Sequence, residues 1–95
     1  MPRDDRFEWD DVKAKRNLGK HGISFEDGAK VFDDPYAIDR PDRREDYGEE
    51  RWSRTGMVDG RLLTVSYTER DERIRIVSVR KANKREQDDY VRQDA

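Results

Sequence analysis

The chain has 95 residues, of which 46% are charged and 32% hydrophobic, with a net charge of −2 and no cysteine. This length allows one hydrophobic core, so we expect a single domain over residues 1–95 with an ordered part from about 6 to 90. The missing thiols exclude disulfides, cysteine nucleophiles and cysteine-based zinc sites. No apolar run is long enough for a membrane-spanning helix, which predicts a cytoplasmic protein without a membrane partner.

The first forty residues predict two helices. Asp10 can cap a first helix, and Gly22 can end it in the left-handed conformation that glycine favours. Ser24 begins the capping pattern of a second helix, which stops before Pro35 because the residue before proline avoids helical geometry. Two short strands are predicted on either side of these helices, followed by a charged loop: residues 6–9, 36–39 and 41–49.

From residue 51 the apolar residues recur every second position, which is typical of β-strands. Asp59-Gly60 is a strong signal for a two-residue hairpin, and residues 70–72 form a second tight connection. We therefore expect an antiparallel meander and a final helix, over residues 52–58, 62–68, 73–80 and 81–92. Apolar residues fall on both faces of the third strand, so periodicity leaves its inward face undecided.

Charge is distributed unevenly along the chain. Residues 51–85 carry ten cations and four anions, a net charge of +6, whereas residues 1–50 carry ten cations and fifteen anions. A small protein with this polarity can present a basic face to a polyanion although its overall charge is negative.

Three arginines near strand ends are candidates for phosphate binding. Guanidinium groups stay charged and bind phosphate through two parallel hydrogen bonds. Arg51, Arg70 and Arg80 would converge at one margin of the sheet if the strand lengths and the register allow it. The alternative is a solvated sheet edge, where charges discourage pairing with other chains.

Two further residues have acid–base chemistry. Glu50 precedes Arg51 and could serve as a base toward a ribose 2′-hydroxyl, or it could form an ordinary surface ion pair. His21 is the single histidine; it could transfer a proton or contact phosphate, or simply complement the dipole at the end of the first helix.

Several aromatic and basic side chains are candidates for RNA contacts. Aromatic rings can stack on unpaired bases, but Trp52 and Tyr67 lie in strands that also need large core residues. Tyr90, in the final helix, has the same two interpretations. The basic candidates follow the third strand: Lys81, Lys84 and Arg85.

The chain resembles the BrnT toxins of bacterial type II toxin–antitoxin systems over about residues 6–90. The combination of Lys-His-Gly-Ile-Ser-Phe-Glu-Asp at 20–27 with Glu-Arg-Trp at 50–52 is specific, whereas neither segment would suffice alone. Further matching segments are Phe7-Glu8-Trp9-Asp10, Val31-Phe32-Asp33-Asp34-Pro35, Tyr47-Gly48-Glu49, Tyr67-Thr68-Glu69-Arg70 and the run from Ile74 to Ala82.

The resemblance implies an α+β, RelE-like fold with two N-terminal helices and a C-terminal helix packed with a small antiparallel sheet. It implies a ribonuclease that inhibits translation without metal or other cofactor, and a BrnA-like antitoxin that neutralises it. The matched positions imply a site that contains His21, Glu50, Arg51, Arg70 and Arg80, with Trp52 and Lys81 beside them. Gly28 stands where alanine is expected in relatives, at a cost to the second helix of up to about 1 kcal/mol.

Other functions remain open on the sequence. The basic sheet could bind nucleic acid or protein without cutting it, the fold could poison gyrase, or the chain could be a toxin that has lost activity. The substrate would be RNA, either free mRNA or mRNA on the ribosome. A homodimer or a toxin–antitoxin heterotetramer would fit an open sheet edge.

Overall fold

A computed structural model describes residues 6–43 and 48–93. Within these ranges the chain forms three α-helices, one 3₁₀ helix and five strands: β1 (Phe7–Glu8), α1 (Asp11–His21), α2 (Phe25–Ala29), the 3₁₀ helix (Lys30–Asp33), β2 (Ile38–Pro41), β3 (Trp52–Val58), β4 (Arg61–Arg70), β5 (Arg73–Lys81) and α3 (Lys84–Arg92). Residues 44–47 of the predicted 41–49 loop, including Tyr47 of a matched segment, lie outside the described residues.

The five strands form one mixed sheet with the order β1-β5-β4-β3-β2. The predicted meander of β3, β4 and β5 is confirmed, since both of its pairings are antiparallel. The sheet is nevertheless not purely antiparallel, because β1 runs parallel to β5 with Phe7 opposite Ile74. A two-residue strand has no periodicity from which its pairing could be predicted.

The ends of the first two helices follow the predicted chemistry. The Asp10 carboxylate accepts from the amides of Val12 and Lys13, and Gly22 ends α1 with a φ of 71°. Ser24 accepts from the Asp27 amide and so begins α2. These caps satisfy backbone groups that would otherwise lack partners at a helix end.

Both hairpins in the meander use left-handed residues. Asp59 and Gly60 have φ values of 50° and 80°, which confirms the predicted turn between β3 and β4. The turn between β4 and β5 places Asp71 and Glu72 at φ values of 53° and 65°. Neither residue is glycine, so this second turn is strained at two successive positions.

A β-bulge decides which face of β5 points inward. Ser66 of β4 lies opposite Ser78, but the next residue, Tyr67, lies opposite Ile76, so that Val77 is the extra residue on β5. The bulge shifts the alternation by one position. Strict alternation would place Val79 on the face opposite Ile74 and Ile76. Because of the bulge, all three residues point inward.

The core lies between this face of the sheet and the N-terminal helices. Phe32 packs edge-on against Phe7 and Tyr67, with ring centroids 5.3 and 5.0 Å away, and Trp9 packs against Phe25 at 5.9 Å. The residues buried with them are mostly aliphatic: Ile23, Val31, Val58, Leu63, Val65, Ile76 and Val79.

One polar side chain in this interior closes part of a sheet edge. The Asn17 amide of α1 donates to the Val79 carbonyl at 2.8 Å and accepts from the Val79 amide at 3.1 Å. It also donates to the Ile23 carbonyl at 3.1 Å. Asn17 thus takes the place of a neighbouring strand beside the C-terminal half of β5, where β1 does not reach.

The opposite face of the sheet is polar, and α3 lies on it. We call it the polar face; its polar side chains, which alternate with the core residues, are Ser53, Thr55, Thr64, Ser66, Thr68, Arg70, Arg73, Arg75, Ser78 and Arg80. Glu86 of α3 binds Arg80 and Thr64. Asp89 of α3 binds Arg40 of the edge strand β2. No residue of α3 is buried, so hydrogen bonds rather than apolar contacts hold this helix.

Candidate functional site

Arg51 and Arg70 meet at one end of the sheet. Arg51 directly precedes β3 and Arg70 ends β4, and the adjoining ends of these antiparallel strands lie side by side. Arg51 Nε donates to Glu49 Oε2 at 3.3 Å, and Arg70 Nη2 donates to Glu49 Oε1 at 3.2 Å. Desolvation opposes ionisation of Glu49, but the hydrogen bonds from Arg70 and Arg51 outweigh it and hold the pKa of Glu49 below its ordinary value. We call these three residues the Glu49 cluster.

Arg80 does not join this cluster. It lies opposite Thr64, six residues from Arg70 along β4, a separation of about 20 Å. Since β5 runs antiparallel to β4, the end of β5 lies at the margin of the sheet away from Arg70. The expected convergence of all three arginines is therefore wrong, although Arg70 and Arg80 share the polar face.

Glu50 adjoins the Glu49 cluster but is not the carboxylate that the arginines hold. Its backbone carbonyl accepts from Thr68 Oγ1 at 2.7 Å, and its side chain is exposed. Sequence reasoning missed Glu49, because a carboxylate one residue further from Arg51 gives no pattern that distinguishes it from Glu50. The one sequence feature that points to Glu49 is its place in the run Glu49-Glu50-Arg51, where either glutamate could contact the arginine.

His21 lies in a different part of the molecule. It is the last residue of α1, which packs on the core side of the sheet and is fixed to Val79 of β5. Glu50 lies two strands away across the sheet and about three residues along it, which separates the two regions by roughly 15 Å. His21 and Glu50 therefore do not form one acid–base pair, and His21 has the helix-end position that the alternative interpretation predicts.

Tyr67 belongs to the core. Only 5% of it is exposed, and its hydroxyl donates to Asp39 at 2.9 Å. Burial, together with this hydrogen bond, raises the pKa of Tyr67 to about 12. The ring is enclosed and offers no face to a base, so the structure favours the core interpretation over the predicted RNA contact. Trp52, opposite Tyr67 in the register, is only partly buried and borders a shallow cavity of 260 Å³.

Arg54 forms a network with Tyr67 and Asp39 that the sequence did not reveal. Its guanidinium binds both Asp39 oxygens, at 2.6 and 2.7 Å, and lies 4.3 Å from the centre of the Phe32 ring. The hydrogen bonds that Arg54 donates to Asp39 raise the pKa of Arg54, which keeps the guanidinium charged. The network attaches β2 to the core and has a structural role.

Of the remaining basic candidates, Arg85 lines a groove near Arg80, whereas Lys81 borders a different cavity and Lys84 is not in the lining of the groove. Lys81 ends β5, Lys84 binds Asp88 at 2.9 Å, and Arg85 lies 3.9 Å from Asp89. The groove has a cavity volume of 430 Å³, and its lining comes from β2 and the residues after it, β3, β5 and the start of α3: Arg40, Pro41, Asp42, Arg43, Ser53, Arg80, Asn83, Arg85 and Glu86. We call it the arginine groove. Sequence reasoning missed Arg40 and Arg43 because they lie in the acidic half of the chain.

In the ranges that the structure describes, there is no cluster of side chains arranged for metal binding. No group of three or more histidine or acidic residues there is arranged to hold a metal ion. Among the same residues, no helix is long and apolar enough to cross a bilayer.

The comparison with known families identifies the chain. A family described as "Ribonuclease toxin, BrnT, of type II toxin-antitoxin system" matches residues 9–86, which include the Glu49 cluster and all of the lining residues named for the arginine groove. No curated protein matches the chain with statistical significance. Since the family match covers most of the sequence, the chain belongs to the BrnT family of ribonuclease toxins of type II toxin–antitoxin systems.

Proposed function

We propose that the chain is a metal-independent endoribonuclease that cleaves mRNA in the bacterial cytoplasm and thereby inhibits translation. The observation that supports this most directly is the pair of guanidinium groups, Arg51 and Arg70, that converge on one carboxylate. A carboxylate and a phosphate offer arginine similar paired oxygens. The position of the Glu49 carboxylate therefore suggests where the scissile phosphate would bind.

The proposed reaction uses the ribose as the nucleophile. Glu50, exposed beside the arginine pair, takes the proton of the 2′-hydroxyl, and the 2′-oxygen attacks phosphorus. The bond from phosphorus to the 5′-oxygen breaks, which leaves a 2′,3′-cyclic phosphate and a 5′-hydroxyl that takes its proton from solvent. Arg51 and Arg70 stabilise the charge that develops on the phosphoryl oxygens.

The first test is RNA cleavage by the purified chain in EDTA. We expect Arg70→Ala to lower kcat by about 100-fold or more, the usual loss when one donor to a developing charge is removed. Arg61→Ala is the matched control, because it removes the same charge from the other end of β4, where Arg61 donates to Asp27. The control should retain wild-type activity, and the product should carry a 2′,3′-cyclic phosphate.

Two results would contradict the proposal. Undiminished cleavage by Arg70→Ala would place the reaction elsewhere. No cleavage by correctly folded wild-type protein, on free RNA and on translating ribosomes, would favour a non-catalytic binding module or a gyrase poison.

The proposed partner is a BrnA-like antitoxin, because a type II toxin is neutralised by a protein. We also propose that the fold is RelE-like, because the architecture is α+β and the sheet has a central meander. Co-expression with the antitoxin and light scattering of the complex would distinguish a heterodimer from a heterotetramer.

A further inference from the structure

The arginine groove is a second basic site, separate from the Glu49 cluster. Among the described residues its lining has four arginines and two acids, Asp42 and Glu86, which gives a formal charge of +2. Asp89 beside the lining binds Arg40 and lies 3.9 Å from Arg85, which lowers this charge to +1. The arginines of the groove come from β2, the segment after it, β5 and α3, which are distant in sequence but adjacent on the polar face. Arg85 projects from α3 with 80% of its side chain exposed.

The groove and the cluster are parts of one continuous surface. The Asp42 amide, in the groove, donates to the Arg51 carbonyl at 2.8 Å, so the groove begins beside a member of the Glu49 cluster. Arg70 and Arg80 mark the two ends of this surface, about 20 Å apart. Between them Thr64, Ser66 and Thr68 are buried, whereas Ser53 and Ser78 are partly exposed and Ser53 lines the groove.

We propose that the arginine groove binds a second, non-scissile phosphate of the RNA strand whose scissile phosphate lies at the Glu49 cluster. The proposal rests on the proposed function and adds to it that the substrate must extend along the polar face. RNA suits this lining better than a protein segment does. Protein interfaces depend on buried aromatic or aliphatic anchors, and among the residues that the structure describes Pro41 is the one apolar residue in the lining.

Glu86 competes with the phosphate for Arg80. Its two oxygens accept from Arg80 at 2.7 and 2.9 Å, the same two-point contact that a phosphate would make. Hydrogen bonds from Arg80 outweigh the effect of burial and hold the pKa of Glu86 below its ordinary value, so the competing charge is present at neutral pH. Removing this charge should therefore strengthen RNA binding.

The test is fluorescence anisotropy with 2′-O-methyl RNA, which cannot be cleaved through the 2′-oxygen. We expect Arg43→Ala with Arg85→Ala to raise the Kd for a 12-nucleotide strand by about tenfold, which corresponds to roughly 1.4 kcal/mol. The slope of log K against log salt should fall by about 0.7 for each lost phosphate contact. Glu86→Gln should lower the Kd, since glutamine retains the capping role at this helix position. Lys15→Ala with Arg16→Ala, both exposed on α1, is the control that removes the same two charges.

Kinetics separate this proposal from the proposed function. With cleavable RNA, the groove variants should raise KM, whereas Arg70→Ala should lower kcat. If the wild type binds RNA through the groove but does not cleave it, the proposed function fails and the groove stands. Wild-type affinity and an unchanged salt slope in the double groove variant would overturn the groove proposal. A double variant that loses affinity for an acidic antitoxin segment but not for RNA would also overturn it.

Discussion

Gly28 shows how a single residue can be misjudged from its helix propensity. A Cβ atom at this position would lie 2.4 Å from Cγ2 of Val79, so α2 can approach β5 this closely only because glycine has no side chain. The cost that glycine imposes on the helix is therefore offset by packing that alanine would not allow.

We predict that Gly28→Ala lowers the free energy of unfolding by about 1–3 kcal/mol through overpacking. In a Val79→Ala background the clash disappears, so the same substitution should become neutral or favourable by up to about 1 kcal/mol. Urea unfolding of the wild type, the two single variants and the double variant measures this coupling. Stabilisation by Gly28→Ala in the otherwise unchanged chain would contradict it.

Asn17 is the second residue whose neighbours decide its effect. We expect Asn17→Leu to lower the free energy of unfolding by about 3 kcal/mol, because it leaves the Val79 amide and two buried carbonyls without partners. Thermal denaturation measures the loss, with Arg16→Ala on the same helix as the control. A leucine variant as stable as the wild type would show that water replaces the lost partners.

At the scale of elements, α3 differs from the rest of the fold in what holds it. The carboxylates that attach it to the sheet and its loops are Glu86, Asp89, which binds Arg40, and Asp34, which accepts from the Tyr90 hydroxyl at 2.6 Å. Burial opposes the ionisation of Asp34, but hydrogen bonds from the Met57 amide, Tyr90 and the Tyr36 amide outweigh it and lower its pKa.

The lowered pKa of Glu86, and the part of the lowered pKa of Asp34 that comes from Tyr90, make the docking of α3 dependent on pH. A carboxylate whose pKa is lower in the docked state contributes its full stability above the undocked value, near 4, and loses it as the pH falls through the docked value. We therefore predict that α3 detaches below about pH 4 before the core unfolds. Amide NMR spectra across the titration would show this, and loss of α3 and core signals at one common pH would contradict it.

The elements that the sequence predicted well are those with a periodic pattern or a specific cap. β3 and the caps of α1 and α2 agree with the prediction, whereas β2 begins two residues late. The start of α3 was placed at Lys81, but Asn83 and Glu86 form a capping box that begins the helix at Lys84. The bulge at Val77 depends on how two strands pair and has no signal within β5 itself.

For the whole molecule, the charge distribution predicted a basic region but not how its charges are paired. Several arginines counted in the +6 of residues 51–85 are neutralised by acids outside that range: Arg54 by Asp39, Arg75 by Glu8 and Arg80 by Glu86. The sequence therefore identified most of the basic residues of the site. It could not show that they form two groups, since that division depends on strand direction.

The way Asn17 closes β5 also limits how another chain can attach. On the border of the sheet beside β5, β1 pairs with the first residues of β5, and the Asn17 amide is hydrogen-bonded to the backbone of Val79. On the other side β2 offers only four residues and ends in proline, which has no amide hydrogen to share. Among the described strands, neither border provides a long template for strand addition. A neutralising protein or a second copy would therefore have to recognise this toxin by its side chains rather than extend its sheet.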